Sequence, residues 1–499
     1  MGQTAHADEG TAPLLDMLDA DAVTDDRRAD LAGLTITGIT HDSRLVRRGF
    51  VFAAVPGTSV DGAKFAAQAE AAGAAVILTG LDQDIDPSVQ VPVLRTGDPR
   101  RDLARIAARL YGPQPETIVA VTGTSGKTSV AEFTRQIFEA SGMRAASLGT
   151  LGLTLSGDSE KSALTTPDPV ALHQGLADLA TRGISHVAME ASSHGIHQRR
   201  LDGIVLKAAG FTNLGRDHLD YHTDMEDYFA AKLRLFDTLL PETGIGVVDV
   251  DSRWGERVAE VLRSRGVNTM TVGKTGGTLR MSDCMLEPTG QRLLVRHHGV
   301  DRKITLPLVG EFQAQNAMVA AGLALAVGIE ADVVFDALND LQGAPGRLER
   351  VGETPEGAPV FVDYSHKPDA LTHALQALRP FTENRLIVVF GAGGDRDPGK
   401  RPLMGQAAVQ NADHVIVTDD NPRSEHPGEI RRAILDAAPG AVEIGDRAEA
   451  IAAAVSQLKS GDTLLIAGKG HETGQIVRDK VLPFVDQDVA RTCLADLTS

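Results

Sequence analysis

The chain has 499 residues, about three times a usual domain length. A single hydrophobic core rarely grows past roughly 250–300 residues, which argues against one large globule. Hydrophobic residues make up 42% and charged residues 23%, which excludes wholesale disorder, and 49 basic against 67 acidic residues leave a net charge of −18. That charge argues against a general binder of nucleic acid or anionic membrane, while leaving room for a local phosphate site.

Two cysteines, Cys284 and Cys493, provide no disulfide framework, and no Cys/His spacing suggests structural zinc. The opening MGQTAHADEG lacks a basic region followed by an apolar stretch, and the apolar runs fall far short of the ~20 residues of a membrane span. The expectation is a cytoplasmic protein without membrane insertion. With 14 Phe, 4 Tyr and 1 Trp against 51 Gly, the core must be built from Val, Leu, Ile and Ala, as in helix-flanked parallel sheets.

Along the chain, short β-rich runs alternate with Ala/Leu-rich helical stretches, which predicts α/β architecture. Leu34 to Ile39 and Gly49 to Val55 read as strands, Ala63 to Ala72 as a helix, Ala74 to Leu78 as a buried strand and Pro99 to Leu110 as a helix. Tyr111-Gly112-Pro113-Gln114-Pro115 then breaks the chain. Thr117 to Thr122 reads as a strand running into a glycine-rich turn and a helix from Thr128 to Ala140. Strands follow at His186 to Glu190, Leu206 to Phe211 and Gly244 to Val250, with a helix over Met225 to Leu240. A second breaker, Gly343-Ala344-Pro345-Gly346, precedes strands at Val360 to Tyr364, Leu386 to Gly391, His414 to Thr418 and Thr463 to Ala467. Three domains are expected: a smaller N-terminal α/β domain over 1–112, a central P-loop ATPase-like parallel sheet over 113–344, and a C-terminal sheet resembling a dinucleotide fold over 345–499. In such open sheets ligands sit at the carboxyl ends of the strands.

The strongest local signal is Gly123-Thr124-Ser125-Gly126-Lys127-Thr128, followed by Ser129. Glycines let backbone N–H groups turn around phosphate oxygens, and the helix N-terminus favours their charge. Lys127 can reach the terminal phosphates, and the Thr128 hydroxyl can hold Mg²⁺. The usual pattern has a further glycine where this chain has Val121, so the loop is a shortened variant. A GTPase would carry Asn-Lys-x-Asp, and no Asn here precedes Lys. Glu190 closes a buried strand, where a carboxylate suits either Mg²⁺ or the capping of the next element. Arg216-Asp217-His218-Leu219-Asp220-Tyr221-His222 reads equally as a solvated loop or a functional cluster. Lys232, flanked at i−3 and i+4 by Phe229 and Phe236, borders a buried face. Such a lysine either snorkels outward or has its pKa lowered, and the residues alone favour snorkelling.

Taken together these motifs resemble the Mur ligase family, ATP-dependent amide-forming enzymes of peptidoglycan precursor synthesis and hence of cell-wall biogenesis, cell shape and division. The resemblance extends through Thr165-Thr166-Pro167, Glu190 to His194, Asn316, Gly346-Arg347 and Asp363-Tyr364-Ser365-His366-Lys367-Pro368-Asp369. Two departures are local: Ser365 and Lys367 stand where the family usually has Ala and Thr. The stretch through about Asp30 lies outside the resemblance. Asp42-Ser43-Arg44, Gly394-Asp395-Arg396-Asp397, Asp420-Asn421-Pro422-Arg423 and Gly468-Lys469-Gly470-His471-Glu472 point to the member that adds the third peptide residue. In that member the Asp-Asn-Pro-Arg form goes with meso-diaminopimelate rather than L-lysine. An arginine fork matches the extra carboxylate of diaminopimelate bidentately, and a charged hydrogen bond contributes roughly 1.5–3 kcal/mol, about 10–150-fold in preference.

The resemblance implies roles residue by residue. ATP would lie on Gly123, Thr124, Ser125, Gly126, Lys127, Thr128 and Ser129, with Asn316 and Arg347 completing its site. UDP-MurNAc-L-Ala-D-Glu would be held by Ser43, Thr58, Ser59 and Val60 at its nucleotide end, and by Thr165, Thr166, Ser192, Gln198 and Arg200 at its muramoyl-peptide end. Diaminopimelate would meet Arg396, Asp420, Asn421, Pro422, Arg423, Gly468 and Glu472. Thr128, Glu190 and a carbamylated Lys232 would hold Mg²⁺, with Lys127, Glu190, His218 and Lys232 as the catalytic set. The partners are then small-molecule substrates, without nucleic acid, acting on a monomer. The rivals are a sister ligase such as a folylpolyglutamate synthetase, the same ligase adding L-lysine, and a noncatalytic nucleotide-binding regulator.

Overall fold

Runs of apolar and β-branched residues after Gly38 form a four-stranded parallel sheet, β1 (Gly38–Thr40), β2 (Phe50–Ala53), β3 (Val76–Gly80) and β4 (Val93–Thr96), in that order. Side-chain alternation gives the sheet two apolar faces. Val51, Ala53, Val76 and Leu78 pack with Leu103, Ile106 and Ala107, whereas Phe52 and Ile77 pack with Ala66 and Ala69. The first of these faces is covered by helix α1 (Pro99–Tyr111), which Asp98 caps by accepting from the Arg101 N–H. The structure, a computed structural model, describes residues 12–19, 31–57, 60–155, 158–160 (backbone only), 164–218, 221–287 and 290–497. It divides into two units, Met1–Val272 with Gly322–Glu330, and Gly273–Ala321 with Ala331–Ser499.

The larger sheet of the first unit contains β5 (Thr117–Thr122), β6 (Ala145–Gly149), β7 (Gly152–Leu155), β8 (Asp158–Glu160), β9 (His186–Glu190), β10 (Leu206–Phe211), β11 (Ile245–Asp249) and β12 (Asn268–Gly273). Their order is β8-β7-β6-β9-β5-β10-β11-β12, parallel except for the antiparallel edge of β7 and β8. The chain leaves β5 toward one edge and later returns to lay β10 on its other side. The carboxyl end of β5 is therefore a topological switch point, flanked by the ends of β9 and β10. Helix α2 (Lys127–Ala140) leaves this point, and helix α3 (Pro169–Thr181) packs Leu172, Leu176 and Leu179 into the core with Ile118, Val187 and Met189.

In the second unit, β13 (Leu279–Glu287), β14 (Gly290–His297) and β15 (Val300–Leu306) form an antiparallel meander, followed by helix α4 (Glu311–Ala326), whose first part lies in this unit. A six-stranded sheet then runs β16-β17-β21-β18-β19-β20, from β16 (Glu349–Glu353), β17 (Pro359–Asp363), β18 (Leu386–Phe390), β19 (His414–Val417), β20 (Val442–Glu443) and β21 (Thr463–Ala467). Only β16 is antiparallel. Leu386, Val388 and Phe390 face one helical layer, Ile387 and Val389 the other. Both faces are buried, which is why these strands read as continuous apolar runs.

Most strands expected from the sequence are found within a residue or two, and four of them, Thr117–Thr122, His186–Glu190, Leu206–Phe211 and Thr463–Ala467, without change. The helix expected over Met225 to Leu240 is regular only over Met225–Arg234, and its last part, Leu235–Leu239, widens into a π turn with Leu240 N–H donating to Leu235 O at 3.0 Å. The expected helix Ala63 to Ala72 is a 3₁₀ turn, Gly62–Phe65, followed by a short α-helix, Ala66–Ala71. The meander lies outside the strands expected from the sequence, although its β14–β15 turn, His298-Gly299 with φ of +47° and +80°, is of the tight-hairpin kind. Among the described residues no helix is long and apolar enough to cross a membrane.

Arg447 fastens the second sheet from inside. Its guanidinium and the Asp486 carboxylate are both fully buried, paired through two bonds of 2.7 Å, and Arg447 Nη2 also donates to Ala467 O at 3.0 Å. Burial opposes the Arg447 charge, and Asp486 more than offsets it. Replacing Arg447 by Met leaves Asp486 buried and unpaired, with an expected loss of about 3–5 kcal/mol. Combining it with Asp486→Leu should recover most of that loss, as read by denaturant unfolding followed by circular dichroism.

Candidate active site

The phosphate-type loop is tied to the end of the neighbouring strand. Thr124 N–H donates to Asn213 O at 2.9 Å, Ser125 N–H to Asn213 Oδ1 at 3.0 Å, and Thr212 Oγ1 to Ser125 O at 2.7 Å. A Cβ on Gly123 would collide with Thr212 Oγ1, and its φ of +156° lies where side chains are strained. Gly126 (φ +87°) then turns the chain left-handed into α2. Thr128 and Ser129 are buried in the first turn of that helix.

Two lysines meet on one oxygen of this loop. Lys127 Nζ donates to Gly123 O and Thr124 O, both at 2.9 Å, and Lys232 Nζ donates to the same Gly123 O at 2.7 Å. Lys232 comes from helix α5 (Met225–Arg234), is 1% exposed, and lies 4.5 Å from the Tyr228 ring centroid. It does not snorkel: its ammonium is held against the loop carbonyl beside the Tyr228 ring. Burial lowers its pKa well below the usual lysine value, the Lys127 charge lowers it further, and Asp217 only partly opposes them.

Glu190, at the end of β9, is buried, and its carboxylate accepts from Thr150 N–H at 2.7 Å and Thr150 Oγ1 at 3.2 Å. The carboxylate lies so close to the β6 backbone that a Cβ on Gly149 would overlap it. Thr150, which no sequence signal identified, also meets Thr165 Oγ1 at 3.1 Å. Thr166 Oγ1 then contacts Ser192 Oγ at 3.0 Å, and Arg200 donates to Thr166 O and Gln198 Oε1, each at 2.7 Å. Gln198 Nε2 donates to Tyr221 Oη at 3.2 Å. The five residues expected at the muramoyl-peptide end thus form a network continuous with Glu190.

Of the Arg216 to His222 segment, His218, Tyr221 and His222 join a cluster of rings, while Arg216 is exposed. His194 stacks at 4.0 Å on Tyr221 and at 4.9 Å, edge-on, against His218. His222 is buried, its Nδ1 3.3 Å from Asp227 Oδ2, and its ring lies 5.1 Å from Tyr228. Tyr228 Oη, with its pKa pushed up to about 12 by burial, reaches Thr124 Oγ1 at 3.3 Å and so joins the cluster to the loop. His218 itself adopts φ +54°, with Nε2 3.6 Å from Asp217 Oδ2. Leu219 and Asp220 lie outside the described residues, as do Thr58 and Ser59. Ser43 begins a 3₁₀ turn capped by Asp42, and Val60 is exposed.

In the second unit Asn316 is buried on α4 and donates to Gln313 Oε1 at 3.2 Å, while Gln313 Nε2 donates to Arg347 O at 3.1 Å. The Arg347 guanidinium lies 4.9 Å over the Tyr364 ring, which also packs against His366 and His471. Burial drives both histidines down to about 4, so they are neutral.

The residues expected at diaminopimelate gather at the carboxyl ends of β18, β19 and β21. Asn421 Nδ2 donates to Glu472 Oε2 at 2.7 Å, and Asp420 and Asn421 are buried. Arg423, at φ +50°, donates to Gly394 O at 2.8 Å and through its own N–H to Ile476 O at 3.0 Å. Pro422 and Gly468 are buried beside them, and Arg396 is exposed. Among the described residues no three His, Cys, Asp or Glu side chains gather as a ready metal site. Glu190 and Thr128 are oxygen donors, however, and Mg²⁺ takes few protein oxygens and keeps several waters, so this sparse hard set fits it.

A loop of this kind at a switch point, followed by a second open sheet, defines a nucleotide-dependent ligase architecture, and family models match it in three consecutive stretches. These are the Mur ligase family catalytic domain over residues 35–111, the Mur ligase middle domain over 121–324 and the Mur ligase glutamate ligase domain over 346–470. The chain belongs to the Mur ligase family. Relatives from Chelativorans sp. and Mesorhizobium japonicum, each named UDP-N-acetylmuramoyl-L-alanyl-D-glutamate--2,6-diaminopimelate ligase, are 55% and 54% identical over 93% of this chain and 96% of theirs. A solved structure of the same name matches with a TM-score of 0.73 at 30% identity, covering 98% of this chain and 100% of that one. The MurF ligase from Thermotoga maritima in complex with ADP shares the fold, with a TM-score of 0.57 at 19% identity over 92% of this chain and 96% of that one.

The Lys232 environment yields a test independent of turnover. In ¹³C-lysine NMR, one ε-carbon, identified by its loss in Lys232→Met, should titrate well below the others, and Lys127→Met should move that titration upward by removing a like charge. The unfolded chain binds the proton that the folded site refuses, so this group's contribution to stability grows as pH rises toward the ordinary lysine value.

Proposed function

We propose that this chain is the ligase that joins meso-2,6-diaminopimelate to UDP-N-acetylmuramoyl-L-alanyl-D-glutamate, consuming ATP, in cytoplasmic peptidoglycan precursor synthesis. Supporting this reading is the name shared by relatives that match almost the whole chain at over half identity. The observation that carries it is the Asp420 to Arg423 turn at the end of β19, bonded to Glu472, because it brings a guanidinium and a carboxylate to the same strand ends, which suits a substrate carrying both charges. We assign the three domains as 1–112, 113–344 and 345–499, each serving one substrate.

In this reading the D-Glu γ-carboxylate attacks the γ-phosphorus of ATP and ADP leaves. The amine of diaminopimelate then attacks the acyl phosphate, forming the amide as inorganic phosphate departs and the amine proton is lost. Phosphoryl transfer needs positioning and electrostatic stabilisation above all. Lys127 and the loop N–H groups supply positive charge at the phosphates, with Gly123 to Ser129, Asn316 and Arg347 assigned to ATP. Thr165, Thr166, Ser192, Gln198 and Arg200 orient the acceptor peptide, and Ser43 with Thr58 to Val60 is assigned to the uridine end. His218 orients the ring cluster beside the loop. Arg396, Asp420, Asn421, Pro422, Arg423, Gly468 and Glu472 are assigned to diaminopimelate. Thr128, Glu190 and Lys232 would hold Mg²⁺, which when bound offsets phosphate charge. For that role Lys232 must first become a carbamate: its neutral amine attacks CO₂ and loses a proton. The lowered pKa supports this step, because only the neutral amine reacts.

Purified protein given ATP, Mg²⁺ and UDP-MurNAc-L-Ala-D-Glu should release phosphate with meso-diaminopimelate and far less with L-lysine, as read by phosphate release and product mass. Equal or better use of lysine would overturn the substrate assignment, and no turnover with any amino acid would favour a binding protein. Arg423→Ala should lose roughly 10–150-fold in diaminopimelate use, whereas Lys127→Ala should abolish all turnover. In degassed buffer activity should fall and return with added bicarbonate, and Lys232→Ala should not respond to bicarbonate.

A further inference from the structure

Lys469 is a buried cation for which the reaction outlined above has no use. Its side chain is 0% exposed, although an uncompensated ammonium is costly to remove from water. All three of its donors are engaged: Nζ donates to Asn421 Oδ1 at 3.2 Å, to Glu472 Oε2 at 3.0 Å and to Gly474 O at 2.6 Å. Two of these acceptors belong to side chains assigned to the amino-acid substrate, and the third opens a β-hairpin, β22 (Gly474–Val477) and β23 (Lys480–Pro483).

The bonds converge on a single geometry. Glu472 Oε2 accepts from both Lys469 Nζ and Asn421 Nδ2, and Asn421 Oδ1 accepts from both Lys469 Nζ and Ile476 N–H. Glu472 is thus held by one oxygen, and no hydrogen bond among the described residues ends on its Oε1. Its side chain remains 31% exposed. The hairpin is drawn against the Asp420 to Arg423 turn by the same residues: Gln475 Nε2 donates to Asp420 O at 2.8 Å, and Arg478 N–H to Arg423 O at 2.7 Å.

We propose that Lys469 is the positioning residue of the amino-acid pocket: by locking Oε2 of Glu472 and Oδ1 of Asn421 together, it turns Glu472 Oε1 toward the ammonium of the incoming amino acid. This rests on the assignment of Glu472 to that substrate. Lys469 acts through Glu472, so its removal must be felt in amino-acid binding and not in the binding of ATP or the nucleotide-linked dipeptide.

The test is steady-state kinetics on the full chain for Lys469→Met, Glu472→Gln and the double variant, varying each substrate in turn. Lys469→Met should raise KM for diaminopimelate about tenfold or more, the scale of one charged hydrogen bond. KM for ATP and for UDP-MurNAc-L-Ala-D-Glu should stay within about twofold. The double variant should be no worse than the worse single one, since the two residues act as a unit. An unchanged KM for diaminopimelate in Lys469→Met, equal rises for all three substrates, or additive losses would each overturn the role of Lys469. If Glu472→Gln leaves that KM unchanged, the substrate assignment itself fails. A rise in Glu472→Gln without one in Lys469→Met defeats only the positioning role. Should Lys469→Met not fold, Lys469→Gln, which loses the charge but keeps two N–H donors, should give an intermediate KM, and no rise there would equally overturn the proposal.

Discussion

Lys127 and Lys232 share the Gly123 carbonyl oxygen, and two full charges converging on one atom in a largely buried site repel strongly. Burial decides which of them yields. Lys127 retains partial access to solvent on the first turn of α2, while Lys232 is enclosed by α5 and the Tyr228 ring. On the function proposed above, Lys127 would serve phosphate and the Lys232 amine would be the one that reacts. The loop's anchoring to Thr212 and Asn213 matters for the same reason: it holds the shared oxygen still, and the electrostatic difference between the lysines depends on that oxygen's position.

The second unit solves a related problem with pairs instead of competition. Arg447 and Lys469 are both removed from water, and each is matched to a carboxylate and to backbone carbonyls at strand ends. Arg423 and Arg396, less buried in the same unit, lie at the ends of strands whose own buried charges are already satisfied. The net charge of −18 is a property of the surface, while the cations that matter are local and individually fixed. That is how an acidic protein can present sites to phosphates and carboxylates.

The parallel strands were legible because each is buried on both faces and reads as an uninterrupted apolar run between glycines. The loop at Gly123 was legible for a different reason, since few other functions demand Gly-Lys-Thr between a strand and a helix. Lys232 was misread from its neighbours: a lysine between two phenylalanines snorkels unless something covers its tip, and what covers it is a loop 109 residues earlier in the chain. Thr150 and Lys469 were invisible as site residues for the same reason. Their partners, Glu190 and Asn421, are brought to them by strand order, which local periodicity does not encode. The antiparallel meander escaped because its half-exposed, charge-rich strands resemble polar linker, despite the His298-Gly299 turn.

Gly123 and Gly149 each leave bare backbone against a side chain needed by the site, Thr212 in one case and Glu190 in the other. Both glycines are buried, so a methyl group added at either position would have to displace Thr212 or Glu190. Sequence change is thereby constrained at two positions that contribute no side chain of their own.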